Sequence, residues 1–259
     1  MTASSKSSCF GIYASAIEKC VKKNASCVIL PECFQTPYKV DSFASFAEDI
    51  ITGETPNFLQ EQAIKHSIYL VGGTFIERDG DFLYNTCTVW NPVGELICKY
   101  RKIHLFDVAF ENVKFTESSV LTAGKSPAMF SIGQFNIGVG ICFDLRFPHL
   151  ADFYRCAGCN VLVFPGCFTV PTGRLHWELL LRARALDSAS FVVAASIARD
   201  TNSVFESWGH SMICNPSGQI VQSLDHEEGF LVQELTLNEV NVMRHSIPTF
   251  ELKRQFCPQ

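Results

Sequence analysis

The sequence lacks the features that would place it in a membrane or on nucleic acid. Its 259 residues contain no apolar run near the roughly 18 residues that a spanning helix needs. Only 18% of the residues are charged, the net charge is −5, and there is no basic run, so neither nucleic acid nor membrane is an expected partner. Residues 1–8 hold one lysine and no apolar segment, unlike a secretory signal. The expected compartment is cytoplasmic, with a mitochondrial location as the alternative.

Cysteine is plentiful, with twelve residues, but the chain is too long and too apolar for a small disulfide scaffold. Cys156 and Cys159 form a lone Cys-x-x-Cys pair with no second pair at zinc spacing. Many other cysteines lie in apolar runs, where a thiol packs as a small hydrophobe: Cys27, Cys87, Cys98 and Cys214. We therefore expect a reducing compartment and no bound metal or cofactor, with a metal or redox protein as a third possibility.

Apolar residues make up 47% of the chain, enough for a large core. The predicted strands are 27–30, 68–75, 83–90, 95–100, 135–141, 160–164, 191–196, 210–215, 219–223 and 230–235. The predicted helices are 15–23, 58–66, 148–157 and 176–188. Several strands are apolar throughout, so both of their faces should be covered. The pattern predicts a layered α/β fold with mixed sheets and, without linkers or repeats, one domain over 1–259.

Cys142 is a candidate nucleophile. It ends a predicted strand that contains Gly138 and Gly140, a few residues before a predicted helix. A thiol near a helix N-terminus is expected to have a lowered pKa, and backbone N–H groups at such a turn can hold an oxyanion. A buried structural cysteine explains the same segment equally well.

Two other apolar strands are followed by Glu32 and Lys102. Apolar neighbours should raise the pKa of Glu32, which suits a general base, although a capping or surface glutamate is the commoner explanation. Lys102 could supply positive charge to a thiolate and an oxyanion, or lie in a solvated basic turn. We interpret the nearby His104 as structural. Because α/β sites assemble at the C-terminal ends of strands, these side chains are expected to meet.

In these segments the sequence resembles the nitrilase superfamily of carbon–nitrogen hydrolases, from about Asn24 to Arg254. The matching stretches are Leu30-Pro31-Glu32, 100–106, 140–148, 165–168, 176–185 and 208–211. Within that superfamily the chain looks most similar to the omega-amidases. The stretches that support this branch are 31–34, Thr36-Pro37-Tyr38, 102–107 and 115–118.

The resemblance implies a four-layer α-β-β-α sandwich that forms a homodimer. It also implies hydrolysis of the terminal amide of 2-oxoglutaramate and 2-oxosuccinamate, the transamination products of glutamine and asparagine, without a cofactor. Two alternatives stay open. One is an amidase for deaminated glutathione or an N-carbamoyl compound, and the other is a catalytically silent binding protein with the same fold.

By the same resemblance, Cys142 is the nucleophile, Glu32 the general base and Lys102 the electrostatic stabiliser. Glu117 is the second glutamate of the family, which orients the lysine and the substrate amide. Without the resemblance, Glu117 would look like an ordinary loop carboxylate. The implied reaction passes through a thioester on the cysteine.

Three residues are expected to bind the substrate. The N–H group of Phe143 is expected to hold the oxyanion, and Tyr38 to line the pocket as a hydrogen-bonding group. Arg146 lies four residues after the nucleophile and is a candidate for binding the substrate carboxylate, or equally for bracing the nucleophile loop. On a later helix, Glu178 and Arg184 are expected to form a structural ion pair.

The chain departs from the family pattern in two places. Family members usually begin with an apolar strand inside a sheet, whereas residues 1–9 are mostly polar. We therefore expect that strand to be missing, which would leave ladder partners unsatisfied and core volume empty. Residue 143 is Phe where Tyr is common, so one hydroxyl near the nucleophile is absent.

Overall fold

The computed structural model describes residues 6–110, 113–201 and 205–252. The helices are α1 Lys6–Val21, α2 Val40–Phe46, α3 Glu54–His66, α4 Pro148–Cys156, α5 Val170–Ser188 and α6 Leu237–Ser246. The strands are β1 Cys27–Ile29, β2 Tyr69–Val71, β3 Phe75–Asp79, β4 Phe82–Trp90, β5 Leu96–Arg101, β6 Asp107–Phe110, β7 Val113–Thr116, β8 Ala128–Ile132, β9 Phe135–Val139, β10 Val161–Gly166, β11 Phe191–Ser196, β12 Met212–Cys214 and β13 Ile220–Ser223. Short 3₁₀ turns span Glu117–Ser119 and Cys142–Arg146.

The strands form two mixed sheets and one small hairpin. The first sheet has the order β1-β2-β4-β3, and β5 also pairs with β4. Its β1 and β2 are parallel, and its other pairs are antiparallel. The second sheet has the order β13-β12-β11-β10-β9-β8, with β9, β10 and β11 parallel at its centre. Among the described residues, β6 and β7 pair only with each other.

The two sheets pack face to face, with helices on their outer faces. Val89 and Tyr100 of the first sheet share one buried apolar cluster with Val139 and Val163 of the second. Helices α1 and α3 pack on the first sheet, and α5 packs on the second. All six residues of β10 are buried because it is a central strand whose two faces are both covered. The predicted α-β-β-α sandwich with mixed sheets is confirmed.

Two helices begin earlier than the sequence predicted. Helix α1 starts at Lys6 rather than residue 15, because its polar residues lie on the outer face while Cys9, Ile17 and Cys20 are buried. Helix α5 starts at Val170 rather than residue 176, since the Thr169 side chain caps it. No helix in the described ranges is long and apolar enough to cross a membrane.

The predicted last strand, 230–235, is wrong: it joins no sheet of the described residues. The segment is apolar because its side chains pack against the core, although its backbone does not pair with a described strand. Phe230 and Val232 contact the apolar cluster beneath α1. Gln222 Nε2 of β13 donates to the Val232 carbonyl (3.0 Å) and to Gln233 Oε1 (3.2 Å) of this segment. Helices α2 and α6 and strands β6, β7 and β8 are elements that the sequence patterns did not predict.

A pocket of about 1270 Å³, partly open to solvent, lies between α1, β1, the second sheet and segment 224–235. Ile29, Ile137, Val163 and Phe230 are among the apolar side chains that line it. Within the described part of the chain, β1 pairs with β2 alone, so its other edge is open. The volume is large enough to hold about 40 water molecules at roughly 30 Å³ each.

Candidate active site

Cys142 lies at the sharp turn that follows β9. Its backbone φ is +46°, in the left-handed region, where a non-glycine residue carries strain of about 1–3 kcal/mol. Residue 140 must be glycine, because a Cβ there would lie 2.4 Å from Cε1 of Phe164. The 3₁₀ turn starts at Cys142 itself, and α4 begins only at Pro148. The turn therefore fixes the thiol in a buried position, with the residue 4% exposed.

Glu32 lies shortly after the end of β1 and is fully buried. Its Oε1 accepts hydrogen bonds from Asn85 Nδ2 (2.8 Å) and Lys102 Nζ (2.9 Å). The other oxygen, Oε2, is buried and accepts no hydrogen bond from Asn85 or Lys102. The Cys142 thiol lies close enough to this carboxylate for each group to change the pKa of the other. The thiol is thus next to a carboxylate that can accept its proton.

Lys102 follows β5 directly and is held between two carboxylates. Its Nζ lies 2.9 Å from Glu32 Oε1 and 2.9 Å from Glu117 Oε2. Glu117 Oε2 also accepts the Phe106 N–H (2.6 Å), and Glu117 Oε1 accepts the Tyr38 hydroxyl (2.7 Å). The side chains of all three charged residues are fully shielded from solvent. Such a buried cation is stable only because it is paired, and the pairing fixes its position.

Burial sets the protonation state of this cluster. Desolvation raises the pKa of Glu32 and raises the pKa of Cys142 well above 9.0. Burial alone would lower the pKa of Lys102, but Glu117 and Glu32 outweigh it and hold that pKa well above 10.5. At neutral pH the lysine is therefore charged, and Cys142 rests as a thiol.

The expectation that a helix terminus lowers the pKa of Cys142 is wrong. Desolvation has the largest effect on the thiol, and the nearby Glu32 raises its pKa further. Lys102 and a hydrogen bond from the Cys167 backbone N–H act in the opposite direction and do not offset them. With its pKa raised, the thiol needs a neighbouring base to remove its proton before it can attack a carbonyl group, and Glu32 is placed next to it.

A nucleophile, a base and a fixed cation are the groups that acyl transfer requires. The family model for carbon–nitrogen hydrolases matches residues 1–245 of this sequence. The chain belongs to the carbon–nitrogen hydrolase family. It is 43% identical to omega-amidase NIT2 of Danio rerio over 239 residues, which cover 92% of this chain and 86% of the relative. Omega-amidase NIT2 of Homo sapiens is also 43% identical, over 93% of this chain and 87% of the relative.

Structural comparison supports the same family. The crystal structure of Nit3 from Saccharomyces cerevisiae, a member of branch 10 of the nitrilase superfamily, is 34% identical to this chain. The two superpose with a TM-score of 0.88, over 95% of this chain and 90% of Nit3. As a member of this family, the chain is a hydrolase that acts on carbon–nitrogen bonds of amides.

Of the three predicted substrate-binding residues of this carbon–nitrogen hydrolase, Tyr38 contacts the charged cluster directly. The Tyr38 hydroxyl is donated to Glu117 and lies 3.4 Å from Lys102 Nζ, so it anchors the charged groups. Phe143 follows the cysteine and is half-buried, with its ring centroid 5.2 Å from that of Phe106. The Tyr38 hydroxyl therefore bonds Glu117, whereas the Phe143 side chain packs on Phe106.

Arg146 ends the 3₁₀ turn and is half-buried. Its Nη1 lies 3.2 Å from Nδ1 of His176, and its guanidinium lies 5.0 Å from the Phe168 ring centroid and 5.9 Å from that of Phe143. Burial lowers the pKa of this guanidinium below the ordinary value of an arginine. The guanidinium makes no salt bridge in the described residues, so its charge is available to an anion.

The expected ion pair between Glu178 and Arg184 is wrong. Glu178 pairs with Arg182 at 3.1 Å, because residues four apart share a helix face whereas residues six apart do not. Arg184 is buried and donates to the Leu145 carbonyl (2.9 Å) in the 3₁₀ turn that begins at Cys142, and to Asp187 (2.9 Å). Arg184 therefore supports the turn that carries Cys142.

The Cys156–Cys159 pair lies away from the cluster. Cys156 ends α4 and is exposed, whereas Cys159 is buried in the core. Ten cysteines within the described ranges, Cys9 not counted, are free thiols. In those ranges no three His, Cys, Asp or Glu side chains are placed to hold a metal ion.

Asn85 is a site residue that the sequence did not reveal. It lies within β4, is fully buried, and donates to Glu32 Oε1. The alternation of polar and apolar residues in a strand does not show that an asparagine bonds a buried carboxylate. An asparagine that faces solvent gives the same alternation. Its contact with Glu32 arises because β4 is in the same sheet as β1 and β2.

Proposed function

We propose that this chain is an omega-amidase that hydrolyses the terminal amide of 2-oxoglutaramate and 2-oxosuccinamate to the acid and ammonia. One arrangement supports this proposal most. Lys102 Nζ is held between Glu32 and Glu117, and the Cys142 thiol contacts Glu32. The omega-amidase relatives support the choice of substrate. Both compounds are monoamides of dicarboxylic acids that arise from glutamine and asparagine, so the role lies in the metabolism of those amino acids.

In the first half of the reaction, Cys142 sulfur bonds to the amide carbon while Glu32 takes the thiol proton. The carbonyl oxygen becomes negative, and the Lys102 ammonium and the Phe143 N–H stabilise it. Glu32 then gives its proton to the amide nitrogen. The carbon–nitrogen bond breaks, ammonia leaves, and a thioester remains on Cys142.

In the second half, Glu32 takes a proton from water, and the hydroxide adds to the thioester carbon. The carbon–sulfur bond breaks, the acid leaves, and the proton returns to sulfur. Glu117 takes no proton in this scheme. Its bonds to the Phe106 N–H and the Tyr38 hydroxyl keep Lys102 in place for both oxyanions. The scheme requires no metal or cofactor.

The same site would hold the far end of the substrate through Arg146. A dicarboxylic monoamide carries one carboxylate, and a guanidinium binds carboxylates through paired hydrogen bonds. Arg146 follows the nucleophile by four residues, and its charge has no acidic partner in the described residues. This pairing would select amides with an anionic end over neutral ones.

Ammonia release by the purified chain tests the substrate. We expect kcat/KM for 2-oxoglutaramate to exceed that for deaminated glutathione and for N-carbamoyl compounds by at least about 10-fold, equivalent to one well-made polar contact of roughly 1.4 kcal/mol. A preference for deaminated glutathione or an N-carbamoyl compound would assign the chain to that other amidase class. Absence of turnover with all three would support a silent binding protein.

Arg146→Gln separates the two roles considered for this side chain. If it binds the carboxylate, the KM for 2-oxoglutaramate should rise about 10- to 100-fold, because a charged hydrogen bond of roughly 1.5–3 kcal/mol is lost. The values for butanamide, a neutral amide of similar length, should stay near those of the unmodified protein. Steady-state kinetics with both compounds checks this. Equal losses for the two amides would mean that Arg146 only braces the nucleophile turn.

We also propose that the chain forms a homodimer and acts in the cytoplasm. Leu175, Leu179 and Leu186 of α5 are about half or more exposed and lie on one face of the helix, as expected for an interface between two copies. Sedimentation velocity should give about twice the mass of one chain, and a monomer at micromolar concentration would contradict the dimer. Cell fractionation distinguishes the cytoplasm from the alternative, mitochondria.

A further inference from the structure

Asp144 lies in the nucleophile turn, yet the mechanism above gives it no role. Its carboxylate is 1% exposed and accepts four hydrogen bonds. Oδ2 accepts from the Ile141 backbone N–H (2.9 Å) and the Tyr100 hydroxyl (2.7 Å). Oδ1 accepts from the His104 backbone N–H (3.0 Å) and lies 2.6 Å from His104 Nδ1. Both oxygens are thus fully used, and the donors come from two distant parts of the chain.

These donors flank the two reactive positions. Tyr100 and His104 lie two residues before and two residues after Lys102, and Ile141 directly precedes Cys142. One carboxylate therefore ties the end of β5, which carries the cation, to the turn that carries the thiol. The His104 ring is fixed in addition by stacking on Phe147, with ring centroids 3.6 Å apart and planes 8° apart.

The turn needs such support. Cys142 has a left-handed φ, which persists only where surrounding contacts over-determine it. Asp144 closes the turn twice: its backbone N–H donates to the Ile141 carbonyl (2.9 Å), and its side chain accepts the Ile141 N–H. The Arg184 bond to the Leu145 carbonyl holds the turn from the α5 side but does not reach the lysine strand.

We propose that Asp144 is a positioning residue that holds Cys142 and Lys102 at a fixed separation, with His104 and Tyr100 as its partners. The proposal rests on the proposed amidase function, in which the thiol and the ammonium act on the same carbonyl group. A displacement of about 1 Å between such groups is enough to lower a rate about 100-fold. A carboxamide at position 144 would present an N–H₂ group to the Ile141, Tyr100 or His104 donors and separate the two segments.

The test measures Asp144→Asn by two readouts. We expect kcat to fall about 100-fold while KM stays within about threefold, because binding groups are untouched and only alignment is lost. We also expect alkylation of Cys142 by iodoacetamide, followed by mass spectrometry, to slow at least about 10-fold relative to the exposed Cys156. Asp81→Asn, an exposed aspartate in the β3–β4 turn, is the matched control and should change neither value.

Tyr100→Phe keeps the ring and removes one of the four hydrogen bonds to Asp144. This milder variant still tests the proposal if Asp144→Asn does not fold. Its kcat should fall about 3- to 10-fold with unchanged KM and near-normal thermal unfolding. If both variants lose activity only in proportion to their unfolded fraction, Asp144 is merely structural and the proposal fails. Alkylation of Cys142 needs no amide turnover, so a protein inactive on 2-oxoglutaramate would refute the proposed function while the labelling ratio still decides the role of Asp144.

Discussion

Replacing Cys142 with alanine should lower kcat for amide hydrolysis at least about 10⁴-fold, because no thioester can form without the sulfur. Loss of a nucleophile that acts together with a base costs nearly as much as loss of the whole set, since the remaining groups cannot substitute for it. Glu32, Lys102 and Glu117 keep their mutual contacts, so the thermal midpoint should change by only a few degrees. Ammonia release and thermal unfolding on the same sample check both statements.

Cys156→Ala is the matched control, since this thiol is exposed at the end of α4 and lies outside the buried cluster. It should retain full activity. Activity above about one-tenth of normal in Cys142→Ala would contradict the covalent mechanism, because general-base hydrolysis alone would then account for the rate.

Lys102→Met should produce the largest loss of stability of any single change at the site. The variant leaves Glu32 and Glu117 facing each other in a buried cluster without a cation, and an unpaired buried charge costs about 3–5 kcal/mol of unfolding free energy. Activity should also vanish, because no fixed charge remains for the oxyanion. Urea unfolding followed by tryptophan fluorescence measures the first effect, and ammonia release measures the second.

The double variant Lys102→Met with Glu117→Gln separates charge balance from catalysis. Removing one of the two carboxylates left without a cation should restore part of the lost stability. The glutamine carbonyl oxygen can still accept a hydrogen bond from the Phe106 N–H or the Tyr38 hydroxyl. Activity should stay absent. A Lys102→Met variant as stable as the unmodified protein would contradict the view that Lys102 balances the charge of a buried carboxylate cluster.

The residues that the structure brings together were largely visible in the sequence. Glu32, Lys102 and Cys142 each follow an apolar segment that forms a strand, and a carboxyl end of a strand is a recognisable place for a reactive group. Glu117 is different, because it starts a 3₁₀ turn after β7 and only the family resemblance singled it out. The sandwich itself followed from apolar strands such as β10, whose composition requires cover on both faces.

What the sequence could not show is mostly long-range. The roles of Asn85 and Asp144 depend on partners 53 and 40 or more residues away, which no local pattern encodes. The predicted direction of the pKa change at Cys142 is wrong because a helix terminus can be read from sequence, whereas the depth of burial cannot. Segment 230–235 has the apolar pattern of a strand because its side chains pack like those of one, yet pairing requires a neighbour that local sequence does not reveal.

The open edge of β1 bears on how this protein associates with itself. In the described part of the chain β1 pairs with β2 alone, so the backbone N–H and C=O groups on its other edge have no partner strand. Such an edge can pair with a strand from another molecule. Aggregation of this protein should therefore begin with strand addition at β1.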